Sequence, residues 1–274
     1  MRKIIYICCI ILLFCTCTTI KNTTYNDYKY SIDVVIPENA YLPVIELNIN
    51  NKNYYANYQT WHKQNIISKK ILNEIGIDNI ESKTDVIIPQ IILSNGFRLN
   101  NINFDIMEFE DEIVQIVFGL SAFNEYNVLI SQKQNRIFLY NAEELPNYLN
   151  SWVKPEIVNP EKGLYINGGV KGSSKTYLVC LANDYGLYVG GIINRHYNIV
   201  LNNNIPITTF LPDTIIISGK KYRNLFLYKL WSNEIKEENN LKNTSTDIIL
   251  GYDFFKKYDV FIDTNNMKLY IEKP

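Results

Sequence analysis

One stretch of this chain occurs twice. Phe118 to Tyr140 reads FGLSAFNEYNVLISQKQNRIFLY, and Leu250 to Glu272 reads LGYDFFKKYDVFIDTNNMKLYIE. With Gly119 set against Gly251 the two run without a gap. Each has an apolar residue and glycine, a short helical turn ending in Phe123 or Phe255, then Tyr126 or Tyr258. A strand follows, Val128-Leu129-Ile130 or Val260-Phe261-Ile262, and a polar turn leads into a last strand. Apolar β-branched runs separated by polar turn residues make each copy a hairpin. A duplicated hairpin near the middle and at the end constrains the fold to two similar halves, so self-similarity is the first property to establish.

The segments ahead of these hairpins also correspond. Ile91 to Leu99 (IILSNGFRL) followed by INFDIME reads as strand, tight turn, strand, and so does Thr214 to Tyr222 (TIIISGKKY) followed by NLFLYKL. Each half therefore carries five to seven short strands and one brief helix. The segment from Leu145 to Gly163 holds three prolines and no sustained pattern, and its composition is that of a linker. Ser232 to Thr246 is a polar, charged excursion found only in the second half. The abundance of Tyr (21 residues), Ile and Val favours strands.

The N-terminus carries a targeting pattern. Arg2 and Lys3 precede an unbroken apolar run, Ile4 to Phe14. That run suits the core of a signal peptide and is short for a bilayer span. It ends at Cys15-Thr16-Cys17 and gives way to a Thr/Asn-rich stretch, which resembles a bacterial lipoprotein signal with Cys17 as the acylated first residue. The expected organisation is a signal over 1–17, a tether over 18–39, a first lobe over 40–144, a linker over 145–162 and a second lobe over 163–274. An exported, membrane-anchored protein of the cell envelope follows.

Four of the five cysteines belong to the signal region, which leaves Cys180 as a small buried hydrophobe and excludes a disulfide framework in the body. Two histidines, His62 and His196, make a zinc site of the common kinds unexpected, and no cofactor is implied. A formal net charge of −1 gives no electrostatic basis for nucleic-acid binding. Gly168 to Thr176 (GGVKGSSKT) approaches a phosphate-binding loop, but a strand-like run follows where that motif needs a helix, so a hairpin turn is expected.

Two β-rich halves, each closing on apolar-Gly-x-x-x-Phe, resemble the retropepsin-like and pepsin-like aspartic peptidases. IILGYDFF, Ile248 to Phe255, is similar to that family's closing signature, and IVFGLSAF, Ile116 to Phe123, matches it with Ser121 in place of the acid. The resemblance covers about residues 40 to 140 and 163 to 274. It implies a mainly β chain of two retropepsin-like β-barrel lobes in a pepsin-like bilobal arrangement. It also implies a cleft between the lobes where two carboxylates share one proton, because like charges so close cannot both ionise. The family's Asp-Thr-Gly positions fall on Gln59, Thr60 and Trp61 in the first half. Thr60 keeps the bracing hydroxyl, Gln59 cannot exchange a proton in this role, and Trp61 stands where the family needs no side chain.

In the second half Asp184-Tyr185-Gly186 is the candidate counterpart, with Ile192 eight residues beyond Asp184 as Ile67 is eight beyond Gln59. Asn183 is an alternative occupant one residue earlier, and a plain Asn-Asp-Tyr-Gly turn is the structural alternative. Asp105, Asp111, Asp213 and Asp253 are further acids by type, with no spacing that puts them in the cleft; Asp247 and Asp253 belong with the closing loop. His62 reads as a loop histidine, and Trp152, Trp231 and Tyr165 as packing residues. The implied function is an exported, lipid-anchored, non-catalytic module that holds an extended peptide or protein segment in the cleft. The alternatives are an active endopeptidase using Asp184 with an unconventional partner, and a structural envelope lipoprotein.

Overall fold

The structure, a computed structural model, describes residues 25–37, 43–77, 80–109, 114–158, 160–174, 176–183, 191–194, 211–230 and 248–274. The first half forms a closed barrel of six strands: β2 (Ile45–Ile49), β3 (Lys52–Tyr58), β4 (Ile66–Ser68), β5 (Asp85–Leu93), β6 (Arg98–Met107) and β7 (Val114–Phe118), in the order β2-β3-β7-β4-β6-β5. Two more strands, β8 (Tyr126–Ser131) and β9 (Arg136–Asn141), leave the barrel as a hairpin. In the second half β10 (Tyr165–Val170), β11 (Tyr177–Leu181), β12 (Gly191–Asn194), β13 (Leu211–Ile217), β14 (Lys220–Leu230) and β15 (Ile248–Leu250) close in the order β10-β11-β15-β12-β14-β13. Position for position this is the connectivity of the first barrel. The second hairpin is β16 (Val260–Asp263) and β17 (Lys268–Ile271).

Local chemistry makes the turns. Asn50 and Asn51 join β2 to β3 with φ of 49° and 63°, and Ser218-Gly219 joins β13 to β14 with φ of 46° and 76°. Two consecutive residues at positive φ match the twist of a hairpin, and Asn and Gly tolerate that region best. Lys171-Gly172 turns β10 back into β11, so the glycine-rich stretch is a hairpin. Each half also has a brief helix: Lys69–Glu74, capped by Ser68 Oγ accepting from the Ile71 N–H, and Tyr252–Lys257 after Gly251.

The two hairpins meet in one sheet, β1-β9-β8-β16-β17, in which β1 is Tyr30–Asp33. At its centre β8 and β16 run antiparallel with Leu129 opposite Phe261. The sheet is apolar on both faces. Val128, Ile130, Ile137, Leu139, Val260, Ile262, Leu269 and Ile271 join the large core that fills the barrels. Leu129, Phe138, Tyr140, Phe261 and Tyr270, one residue out of phase, form a second core on the outer face with Leu149, Trp152 and Tyr25.

Two segments differ from their compositional reading. Residues 25–33, expected within the tether, enter the fold: β1 pairs with β9, and the buried Tyr25 donates its hydroxyl to the Asp259 carboxylate. The stretch 145–162, expected as a linker, contains a 3-10 turn over Asn147–Ser151 and buries Leu149, Trp152 and Val153, with Val153 bridged to Ile271. Apolar contact with a partner distant in sequence recruits both, and no local pattern records it.

Candidate functional site

Where the barrels face each other, the ends of β3 and β11 run into two loops that hold one another. Thr60 Oγ1 donates to the Leu181 carbonyl at 2.6 Å and accepts from the Asn183 N–H at 3.2 Å. Asn183 answers from the other side: its Nδ2 donates to the Tyr58 carbonyl at 2.8 Å, and its Oδ1 accepts from the Thr60 N–H at 3.0 Å. Thr60 Oγ1 also lies 3.0 Å from Asn183 Oδ1, but a hydroxyl has one proton and the shorter contact with Leu181 takes it. Each side chain thus grips the carbonyl two residues before its partner. Thr60 and Asn183 are 0% and 2% exposed, so these bonds are made away from water.

The grip is two-fold symmetric, and the strand pairing repeats the symmetry independently. Tyr58 is parallel-paired with Phe118 as Leu181 is with Leu250. The Gln59 N–H donates to the Phe118 carbonyl at 2.8 Å, and the Ala182 N–H donates to the Leu250 carbonyl at 2.9 Å. Both acceptors immediately precede the repeated glycines, Gly119 and Gly251. The related pairs are therefore Tyr58 with Leu181, Gln59 with Ala182, and Thr60 with Asn183. Gln59 is half-buried and Ala182 fully buried. Asp184, Tyr185 and Gly186 lie outside the described residues, as does Cys17.

Past this point the two halves differ in spacing along the sequence. Ile66 pairs with Val117, and Ile192 makes the matching pair with Ile249. Ile66 lies seven residues beyond Gln59, and Ile192 ten beyond Ala182. The first loop folds tightly over the Gly119 turn: the N–H groups of Leu120 and Ser121 donate to the carbonyls of His62 and Lys63, and the Gly119 N–H donates to Asn65 Oδ1 at 3.0 Å. A Cβ on Gly119 would lie 2.2 Å from the Gln64 carbonyl oxygen, so only glycine fits there.

Trp61 is half-buried and packs against a cluster of Tyr165, Cys180, Ala182 and Ile249 in the second half. The His62 ring lies against it with centroids 3.9 Å apart. Gly163, at φ 148°, passes so close that a Cβ would meet the Trp61 carbonyl carbon at 2.6 Å. The Leu164 N–H next to it donates to the Thr60 carbonyl at 2.9 Å.

The other acids stand elsewhere. Asp253 pairs with Lys257 at 2.7 Å on the closing helix, and Asp105 is exposed on β6. Asp213 has its backbone on β13, and Asp111 and Asp247 lie outside the described residues. Cys180 is a fully buried thiol outside any disulfide, and Tyr165 and Trp152 are packing residues. Among the described residues no group of three His, Cys, Asp or Glu side chains could hold a metal ion. A concavity of about 620 Å³ beside Asn65, Arg98 and Tyr126 and one of about 510 Å³ beside Tyr54 and Ile92 are lined by neither Thr60 nor Asn183.

Among solved structures, the aspartic proteinase from Irpex lacteus superposes on 89% of this chain and 97% of its own length, with a TM-score of 0.55 at 13% identity. The fold is that of an aspartic proteinase. A retropepsin-like aspartic protease from Rickettsia conorii matches 40% of this chain and 91% of its own, with a TM-score of 0.33 at 15% identity. No protein-family model and no curated protein matches the sequence. At these identities the likeness extends to the fold, which here comprises two barrels, a shared sheet and loops that meet through Thr60 and Asn183. Sequence reading named Thr60 but missed Asn183 as its partner; the signal lay in the strand end VCLA-N matching ANYQ-T, rather than in the glycine that follows.

Proposed function

We propose that this chain keeps the aspartic-proteinase fold without its peptidase chemistry, and that it serves as an exported, lipid-anchored module binding an extended peptide or protein segment. The observation that carries the reading is the pairing of Gln59 with Ala182. If the carboxylate positions of the fold immediately precede the bracing residues Thr60 and Asn183, they are occupied by an amide and a methyl group. Neither can share, take or give the proton on which the two-carboxylate mechanism depends. Asp184 then corresponds to Trp61, one residue beyond the brace. Anchoring is supported by the apolar run ending at Cys17; among the described residues no helix is long and apolar enough to cross a membrane.

A peptide mixture incubated with the soluble protein and with its Asp184→Ala variant from pH 3 to 7, read by mass spectrometry, tests the chemical half of the proposal. No new peptides are expected at any pH. Reproducible cleavage that disappears in the variant overturns it in favour of an endopeptidase built on Asp184. One observation favours a second reading, a structural envelope component: Trp61 packs on Ala182 and its neighbours across the loops. Saturable retention of peptides by the wild-type protein supports the binding module, and no retention supports the structural one.

A further inference from the structure

The outer face of the shared sheet is built differently from the rest of the surface. Leu129, Phe138, Tyr140, Phe261 and Tyr270 point away from the barrels, and among the described residues Tyr25, Tyr148, Leu149 and Trp152 pack over them. Tyr25 is 4% exposed, with its ring centroid 5.6 Å from that of Phe138 and 5.3 Å from that of Tyr148. Its hydroxyl is held by Asp259. The described chain therefore begins on this face. Tyr28 lies tilted against Phe138 with centroids 4.9 Å apart yet is 38% exposed, and the Lys154 ammonium lies 5.4 Å over the Tyr270 ring. Several charges of this face are matched: Asp33 with Arg136 at 3.0 Å, and Lys133 with both Glu272 and, at 3.7 Å, Asp259.

We propose that this outer face is the side of the protein that lies on the lipid bilayer. The inference rests on the reading of Cys17 as the lipidated residue. Tyr25 lies eight residues beyond Cys17. Whatever its conformation, a segment of that length reaches at most about 28 Å. Tyr25 is pinned, so a tether this short keeps the aromatic face at the headgroups and turns the barrels outward. Thr60 and Asn183 then face away from the membrane, because the barrels occupy the opposite side of the sheet. Aromatic rings with a polar tip suit the lipid–water boundary. The rings of this face that are left open, Tyr28 and the half-buried Tyr148, make the contact together with the lipid.

The test uses the full chain with a protease recognition sequence inserted between Lys21 and Asn22, expressed in bacteria and collected in membrane vesicles. Hydroxyl-radical oxidation is read by mass spectrometry before and after release by the protease. Tyr28 and Tyr148 should oxidise several-fold more slowly while the protein is held. Ile87 and Met107, 59% and 51% exposed on the first barrel, should not change. A membrane-held protein with unchanged rates at Tyr28 and Tyr148, or with slowed rates at Ile87 and Met107, overturns the orientation and leaves the anchor standing. Recovery of the uncut protein in the soluble fraction overturns the anchor, and this inference with it.

Discussion

Replacing Thr60 with valine is the most direct probe of the loop pair. Valine has nearly the shape of threonine, so packing is kept and only the hydroxyl is lost. The Leu181 carbonyl loses its donor at 2.6 Å, and the Asn183 N–H loses its acceptor at 3.2 Å. Both residues are buried, so water cannot readily replace the hydroxyl. A buried polar group left without a partner costs about 1–3 kcal/mol, so the two together should cost about 2–6 kcal/mol. Against a typical total stability of about 5–15 kcal/mol that is a large fraction. Thr60→Ser keeps the hydroxyl and removes one methyl group, for about 1 kcal/mol. Urea unfolding of the three proteins, followed by tryptophan fluorescence, gives the comparison. A valine variant within about 0.5 kcal/mol of wild type, or a serine variant as damaged as the valine one, would falsify the argument that the hydroxyl binds the two halves together.

The two-fold relation of Gln59 and Ala182 can be tested without any activity. Aspartates placed at both positions should repel, which raises the pKa of one of them. A carboxyl raised in the folded state favours folding below its ordinary pKa and loses that contribution as pH rises through the raised value. The Gln59→Asp/Ala182→Asp double variant should therefore be less stable than the single variants predict at pH 7, with the discrepancy fading towards pH 4; additive behaviour at both pH values would place the residues apart. Asp259 gives a native test of the same linkage. Burial holds its carboxyl above the ordinary value, against the opposing pull of Lys133 and of the Tyr25 hydroxyl. It should subtract stability as pH climbs from about 4 towards neutrality. Asp259→Asn retains an acceptor for Tyr25 and should flatten that slope in thermal melts from pH 4 to 8, whereas parallel profiles would exclude Asp259 as the source.

Much of the architecture was legible because it repeats and alternates. The matched hairpins after Gly119 and Gly251 and the turns at Ser94–Gly96 and Ser218–Gly219 are local patterns, and the barrels form from them as read. The register of the second loop was not legible from spacing. Counting back from Ile192 as from Ile67 assumes loops of equal length, yet Ile192 matches Ile66 and its loop is the longer. Counting instead from the strand ends, Tyr58 and Leu181, leads to Asn183. Its amide supplies both a donor and an acceptor where threonine supplies a hydroxyl, so the residue type alone does not announce the role. Tyr25 and Trp152 were hidden for another reason. Their partners, Asp259 and the outer face of the sheet, lie far away in sequence, and burial produced by distant contact leaves no periodicity behind.

The central pairing of β8 with β16 also determines what the connector can do. The halves are stitched through the middle of one continuous sheet, and Val153 within the connector is itself bridged to Ile271. A cut in the chain near residue 160 would accordingly not free one half from the other: the nicked protein should migrate as a single particle, its two fragments parting only on denaturation. With the Thr60–Asn183 grip closing the other side, the barrels are held at two places, as a book is by its spine and a clasp.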